Sequence, residues 1–418
     1  MKKRFFTSLA VLMIFALIMS FAATVSTAVT NTPVTGPAAV YFKKYLVIPE
    51  DAHVPNTTIT FNIAPGTAKE ADATHMAVYA GPQGATVNTV TFTPADTTYN
   101  TVQSGDTLTL PAGKIYAKQT ATINLSAVTF TEPGVYRFAL TEVSSTDTAV
   151  GLDANPLYLD VYVTSNAEGV LTVNETVLHT NDAAPVKSQD YGSGDVATTG
   201  TALADKVDGF VNEYPTGTLS FSKAVAGNQA SRDKYFAVTV TISGVTAGNA
   251  YNVDYTTGSA DATIAKNPNA ATTIAALNGA ADYVQPASIT VPAGATTVTQ
   301  VFYLKHGQTI SINGLPIGAG YTVLEDEEDY KPATVVTGDK LNGTDTSEAV
   351  ITANHQAAGT IDEDDANTIA VAFTNTRDGI IPTGVIMAVA PFAIGMLLFG
   401  AIIIFIISKK KKAAFYEE

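Results

Sequence analysis

Apolar and polar residues alternate with a period of two through much of the interior of the chain. Examples are Thr58-Ile59-Thr60-Phe61-Asn62-Ile63, Val135-Tyr136-Arg137-Phe138-Ala139-Leu140, Tyr158-Leu159-Asp160-Val161-Tyr162-Val163 and Val238-Thr239-Val240-Thr241-Ile242. Successive side chains of a strand point to opposite faces, so each run predicts a strand with one buried face. Valine, isoleucine, threonine and aromatic residues fill these runs, and clusters of Gly, Pro, Asn and Asp separate them as turns do. No helical period stands out between the two ends of the chain. The pattern predicts an all-β protein of two tandem Ig-like β-sandwich domains, residues 29–216 and 217–379, meeting where one strand gives way to another across Pro215-Thr216-Gly217.

A weak repeat relates the two halves. Each begins with a strand carrying a lysine, Val40 to Leu46 with Lys44 and Leu219 to Lys223 with Lys223. Each later has a strand ending in glutamate, Tyr136 to Glu142 and Tyr321 to Glu325, and closes on a strand ending in asparagine, Phe210 to Asn212 and Val371 to Asn375. Residues two apart on a strand share a face. Lys44 therefore lies with Phe42 and Leu46, Lys223 with Leu219 and Phe221, Glu142 with Phe138 and Leu140, and Glu325 with Tyr321 and Val323. Asn212 lies with Phe210, and Asn375 with Val371 and Phe373. All six are predicted to point inward, where an unpartnered charge costs several kcal/mol. A buried ion pair with a bonded amide is one explanation, and reactive chemistry is another. Asn181, at the end of Val177-Leu178-His179-Thr180-Asn181, is an alternative to Asn212, and Lys43 to Lys44.

The ends of the chain fix its compartment. Lys2, Lys3 and Arg4 precede an apolar run from Leu9 to Phe21, and Ser26-Thr27-Ala28 offers a small-x-small cleavage site, so residues 1–28 read as a signal peptide rather than a retained membrane helix. At the other end Val385 to Ser408 is long and apolar enough to cross a bilayer, and Lys409 to Lys412 follow as a cytoplasmic stop. Just upstream stands Ile380-Ile381-Pro382-Thr383-Gly384. This order of pentapeptide, apolar helix and basic tail over residues 380–418 resembles the sorting signal that sortases read in Gram-positive bacteria. The resemblance implies thiol attack between Thr383 and Gly384, transfer of Thr383 to an amine, and a secreted protein anchored to peptidoglycan after a transient stay in the membrane. Ile380 stands where the commonest form of the signal has Leu, which leaves the sortase class open.

Composition narrows what lies between. Setting aside the three basic residues of 1–28 and the four basic and two acidic residues of 384–418, the chain's 23 basic and 38 acidic residues fall to 16 against 36, a net charge of −20. Such a surface speaks against nucleic-acid partners. There is no cysteine, so an exported chain must resist force and proteases without disulfides. The acidic runs Glu325 to Asp329 and Asp362 to Asp365 lack a full calcium-loop pattern and read as solvated loops, the histidines are scattered, and no phosphate loop or nucleophile elbow occurs. The expectation is no metal, no cofactor and no turnover enzyme.

With two lysine, glutamate and asparagine sets in the same order, a sorting signal and no cysteine, the chain resembles the streptococcal FctA-type major, or shaft, pilins. The resemblance implies spontaneous isopeptide bonds, Lys44 to Asn212 promoted by Glu142 and Lys223 to Asn375 promoted by Glu325. It also implies an acceptor lysine for polymerisation at Lys206, with Lys187 as the alternative. The expected partners are a sortase, further copies of this chain, peptidoglycan, and minor pilins or host ligands. The competing reading is a wall-anchored adhesin that does not polymerise.

Overall fold

The computed structural model describes residues 30–186, 205–257, 286–326, 328–338, 340–341, 344–345, 350–352, 355–362 and 368–379. The expected signal peptide, the sorting segment with Thr383 and Gly384, and Lys187 lie outside the described residues. Among the described residues every regular element is a strand.

Two sheets face each other over residues 40–213, with a small separate pairing of Val34–Thr35 and Thr129–Phe130. One runs in the order Leu171–His179, Leu157–Ser165, Gly134–Ser145, Thr57–Pro65, Val90–Phe92, with Val78–Ala80 beside the start of Gly134–Ser145. The other runs Gly209–Glu213, Val40–Pro49, Lys114–Asn124, Thr86–Val87. Residues 216–376 repeat the plan. The larger sheet is Ser288–Thr290, Ala250–Thr257, Gln308–Pro316, Thr216–Ala226, Thr368–Thr376, Lys331–Thr337, Val350–Thr352, and the smaller is Thr297–Leu304, Phe236–Ser243, Gly320–Glu325, Gln356–Thr360.

Alternation in the sequence becomes alternation in burial. Along Thr216–Ala226 the side chains of Leu219, Phe221, Lys223 and Val225 are buried, while Ser220, Ser222 and Ala224 between them are only half-buried. Thr368–Thr376 behaves in the same way. Leu219, Phe221, Val371 and Phe373 meet Val238, Val240, Tyr321 and Val323 in one core, and Phe42, Leu46, Phe138, Leu140 and Leu159 belong to the other. Each large apolar side chain so buried contributes roughly 1.5–3 kcal/mol.

In both sandwiches the first long strand lies parallel to the last: Val40–Pro49 beside Gly209–Glu213, and Thr216–Ala226 beside Thr368–Thr376. Parallel neighbours cannot be joined by a tight turn, so the intervening chain must build the facing sheet before it returns. The first return is very close. A Cβ added at Gly209 would stand 1.6 Å from the Lys43 carbonyl oxygen, and the Lys43 N–H donates to Asp208 O at 2.6 Å.

Only Tyr214 and Pro215 separate the last strand of one sandwich from the first of the next. Thr216 and Gly217, at the junction expected from the sequence, both belong to the first strand of the second sandwich and pair with Pro316 and Leu315. Pairing with the strand Gln308–Pro316 outweighs the local turn preference of Pro-Thr-Gly. Tyr214 is buried, and its hydroxyl accepts a hydrogen bond from Asn249 Nδ2 at 3.3 Å. Asn249 Nδ2 also donates to Asp147 Oδ2 at 2.9 Å, while Asn249 Oδ1 accepts the Asn56 N–H at 2.7 Å. A buried amide of the second sandwich thus holds three groups of the first.

Gly209→Ala should force the strand Gly209–Glu213 away from its neighbour, at a cost of about 1–3 kcal/mol. Amide exchange over Phe210 to Glu213 should accelerate while the second sandwich keeps its wild-type protection.

Candidate functional site

The strand register places the six inward residues in two equivalent sets. Lys44 pairs with Phe210, two residues before Asn212, and Lys223 pairs with Phe373, two residues before Asn375. Because positions two apart share a face, each asparagine projects on the lysine's side of the sheet, one step further along. The carboxyls arrive from the facing sheet, Glu142 on Gly134–Ser145 and Glu325 at the end of Gly320–Glu325. Lys44 Nζ stands 2.9 Å from Glu142 Oε1, and Lys223 Nζ 2.5 Å from Glu325 Oε1, with all four side chains fully shielded from solvent. Asn212 and Asn375 are buried as well.

Aromatic rings line the lysines. Phe210 lies 5.9 Å from Lys44 Nζ and stacks on Phe61 at 5.9 Å, and Phe42 meets Phe61 edge-on at 5.2 Å. Lys223 Nζ sits 4.2 Å from the Phe236 ring, which in turn meets Tyr330 edge-on. Stripped of water, a charged amine is disfavoured. Burial brings both lysines from their ordinary 10.5 down to about 8, although the charges of Glu142 and Glu325 pull the other way. Burial also raises the Glu325 carboxyl, against the opposing pull of Lys223. Close approach has not produced well-formed hydrogen bonds. Lys44 Nζ, Asn212 Nδ2, Lys223 Nζ, and both polar atoms of Asn375 are buried without a partner of normal geometry. Such groups are rare in native interiors and call for an explanation.

The other candidates are placed elsewhere. Asn181 is exposed, with Nδ2 donating to Asp205 Oδ2 at 3.1 Å. Lys43 points to the outer face, where Nζ meets Asp106 Oδ1 at 2.6 Å and Asp208 Oδ2 at 2.9 Å. Lys206 is exposed and forms an isolated bridge with His179, beside the end of the strand Leu171–His179. In the acidic run, Glu325 faces inward, Glu328 pairs with Lys234 and Asp329 with Arg377.

Three residues escaped the sequence pattern. Gln119 pairs directly with Lys44 across the antiparallel neighbour strand. Ser222 pairs with Thr309 and the Gly307 N–H donates to Lys223 O at 2.8 Å, so Gln308 follows opposite Lys223, where its Nε2 is buried without a partner. Each lysine therefore has an amide residue on both flanking strands. The third is Asp153, whose backbone N–H donates to Glu142 Oε2 at 2.9 Å and to Asn212 Oδ1 at 3.2 Å. The glutamines needed inter-strand register to be found, and Asp153 lies on a loop that carries no periodic signal.

A family described as Domain of unknown function (DUF7601) matches residues 217–377. A protein named Pilin from Streptococcus pyogenes serotype M1 is 28% identical over 400 residues, covering 95% of this chain and 97% of that protein. The crystal structure of the major pilin from S. pyogenes aligns with a TM-score of 0.49 and 21% identity, covering 82% of this chain and 100% of that one. The major pilin protein T3.2 from S. pyogenes aligns with a TM-score of 0.49 and 18% identity, covering 83% and 99%. The chain is thus similar along nearly its whole length to a streptococcal pilin.

The depressed affinity of Lys223 for protons is testable by linkage. Below pH about 8 the amine is protonated in both states, and the folded chain bears the full cost of burying the charge; between about 8 and 10.5 only the unfolded chain holds the proton, and that cost fades as pH rises. Asn375→Ala should therefore be less stable in urea at pH 7 than Lys223→Met/Asn375→Ala, with the gap closing toward pH 10. A gap independent of pH would mean that Lys223 binds protons equally in both states.

Proposed function

We propose that this chain is a structural subunit of the shaft of a sortase-assembled covalent pilus on a Gram-positive cell surface, each of its sandwiches closed by a self-formed Lys–Asn isopeptide bond. The observation that carries the reading is the recurrence of a buried lysine, glutamate and asparagine in one register in both sandwiches. The near full-length similarity to a streptococcal pilin supports a polymerising subunit over an adhesin that stays single.

The chemistry follows from the pocket. A neutral lysine amine has a free lone pair, and the aromatic lining favours that neutral form. Its Nζ attacks Cγ of the asparagine held on the next strand, forming the N–C bond as the carbonyl π pair moves to Oδ1. The glutamate carboxyl takes a proton from the attacking amine and delivers one to Nδ2. The C–Nδ2 bond then breaks and ammonia leaves. One amide is exchanged for another, with no oxidant and no cofactor. Proximity supplies most of the acceleration, since both partners are fixed by the fold.

The Lys44 to Asn212 bond spans about 168 residues, and by analogy with disulfide loops it restricts the unfolded chain by roughly 4–5 kcal/mol. Joining the first strand of each sandwich to its last, the bonds carry tension along the shaft. Thr383, released from Gly384 as a sortase acyl group, joins Lys206 of the next subunit, and the last subunit joins peptidoglycan.

Intact mass tests the crosslinks: residues 29–379 should weigh two ammonia molecules less than the sequence requires, and Lys44→Ala, Glu142→Ala, Lys223→Ala or Glu325→Ala one less. Assembly is tested by expressing the full chain with its sortase. A covalent ladder should form and should vanish with Lys206→Arg or Thr383→Ala. A ladder that persists in Lys206→Arg would move the acceptor to another lysine.

A further inference from the structure

We infer that the backbone N–H of Asp153 is a catalytic group of the first sandwich, the donor that stabilises the oxyanion formed on Asn212 Oδ1 during amide exchange. This inference rests on the crosslinking reading given above. Asp153 lies between the strands Gly134–Ser145 and Leu157–Ser165, and its N–H reaches two atoms of the triad at once, Glu142 Oε2 at 2.9 Å and Asn212 Oδ1 at 3.2 Å. The other oxygen, Glu142 Oε1, faces Lys44 Nζ at 2.9 Å. One peptide N–H therefore ties the carboxyl to the carbonyl oxygen of the amide under attack.

The loop is built to hold that N–H still. The Gly151 N–H donates to Glu213 O at 3.0 Å, which fastens the loop to the asparagine strand one residue beyond Asn212. Asp153 Oδ1 accepts the Asn155 N–H at 2.9 Å, closing a local turn around the donor. When Nζ bonds to Cγ, the electron pair displaced onto Oδ1 makes it a stronger acceptor, and the shared N–H shifts from Glu142 Oε2 toward it. A fixed donor aimed at developing charge needs no reorganisation at the moment of reaction. When the C–Nδ2 bond breaks, the pair returns to the carbonyl and the N–H relaxes back to Glu142. The second sandwich differs. Asn375 Oδ1 has no partner of normal geometry among the described residues, and no backbone N–H serves it there. The two reactions should accordingly depend on different groups.

The test replaces a single atom. In cell-free synthesis of the full chain with a mild detergent, nonsense suppression at position 153 can install either alanine or lactic acid, which differ only in that N–H becomes O. Samples are quenched in acid over time, and the branched Lys44–Asn212 and Lys223–Asn375 peptides are counted by mass spectrometry. The ester should slow the first crosslink about 100-fold relative to alanine, the effect of losing one oxyanion donor, with the second unchanged as an internal clock. Asp153→Asn keeps the N–H and should crosslink at least as fast as wild type. Equal rates for ester and alanine would overturn the role of Asp153. Should the ester disturb the loop, Asp153→Pro removes the same N–H, and a normal rate there would overturn it equally. Absence of both branched peptides in the wild type would instead remove the crosslinking reading itself.

Discussion

Everything in these two sandwiches turns on a primary amine held out of water. An ammonium group placed among phenyl rings loses hydration worth several kcal/mol, and only a carboxyl brought from the facing sheet offsets part of that loss. Meeting Lys44 with Glu142 requires the two sheets to approach face to face at that depth, and the same holds for Lys223 with Glu325. The asparagine must then come from the one remaining direction within the sheet, the parallel neighbour. The pocket therefore dictates the order of strands as much as the strands dictate the pocket. As an ion pair alone it would be a poor investment, because well-packed apolar side chains of similar volume are often as stabilising.

The second sandwich also leans on the first through hydrogen bonds at the junction, Asn249 foremost, with Asn252 Nδ2 donating to Asp51 O and Asn56 Nδ2 to Ala247 O beside it. Asn249 is buried at the junction with its donors and acceptor engaged by Asp147, Tyr214 and Asn56. With only two residues between the flanking strands and a buried amide spanning them, the junction resists bending better than a flexible linker would. Leaving any of those partners unpaired in the interior costs about 1–3 kcal/mol.

The strands and their faces were readable because alternation is a local property. Lys223 keeps step with Leu219 and Phe221 along an unbroken strand, so its inward aim follows from those two neighbours. Glu142 could have been lost, since a bulge separates it from Ser144, but the irregularity falls after the glutamate and leaves its phase intact. Asn181 and Asn212 look alike in sequence, each closing a strand. Burial separates them, and burial depends on which sheet the strand joins. The partners Gln119 and Gln308 were out of reach because antiparallel register links residues about 75 and 85 positions apart, and the Asp153 N–H was out of reach because backbone direction in a loop leaves no trace in side-chain type. Pro215-Thr216-Gly217 carries turn chemistry that pairing with Pro316 and Leu315 overrides.

The parallel pairing of first and last strands has a consequence of its own. When a chain is pulled from both ends, one terminal strand is drawn from its beginning and the other from its end, so two parallel neighbours slide past each other lengthwise. The ladder between them is then loaded in shear, with every rung sharing the strain together, whereas a hairpin pulled at its open end would part rung by rung like a zipper. Val40–Pro49 against Gly209–Glu213 and Thr216–Ala226 against Thr368–Thr376 both have the shear arrangement. The strands between them lie off the line of pull, and apart from Glu142 and Glu325, which meet the two lysines, their side chains share little of the load.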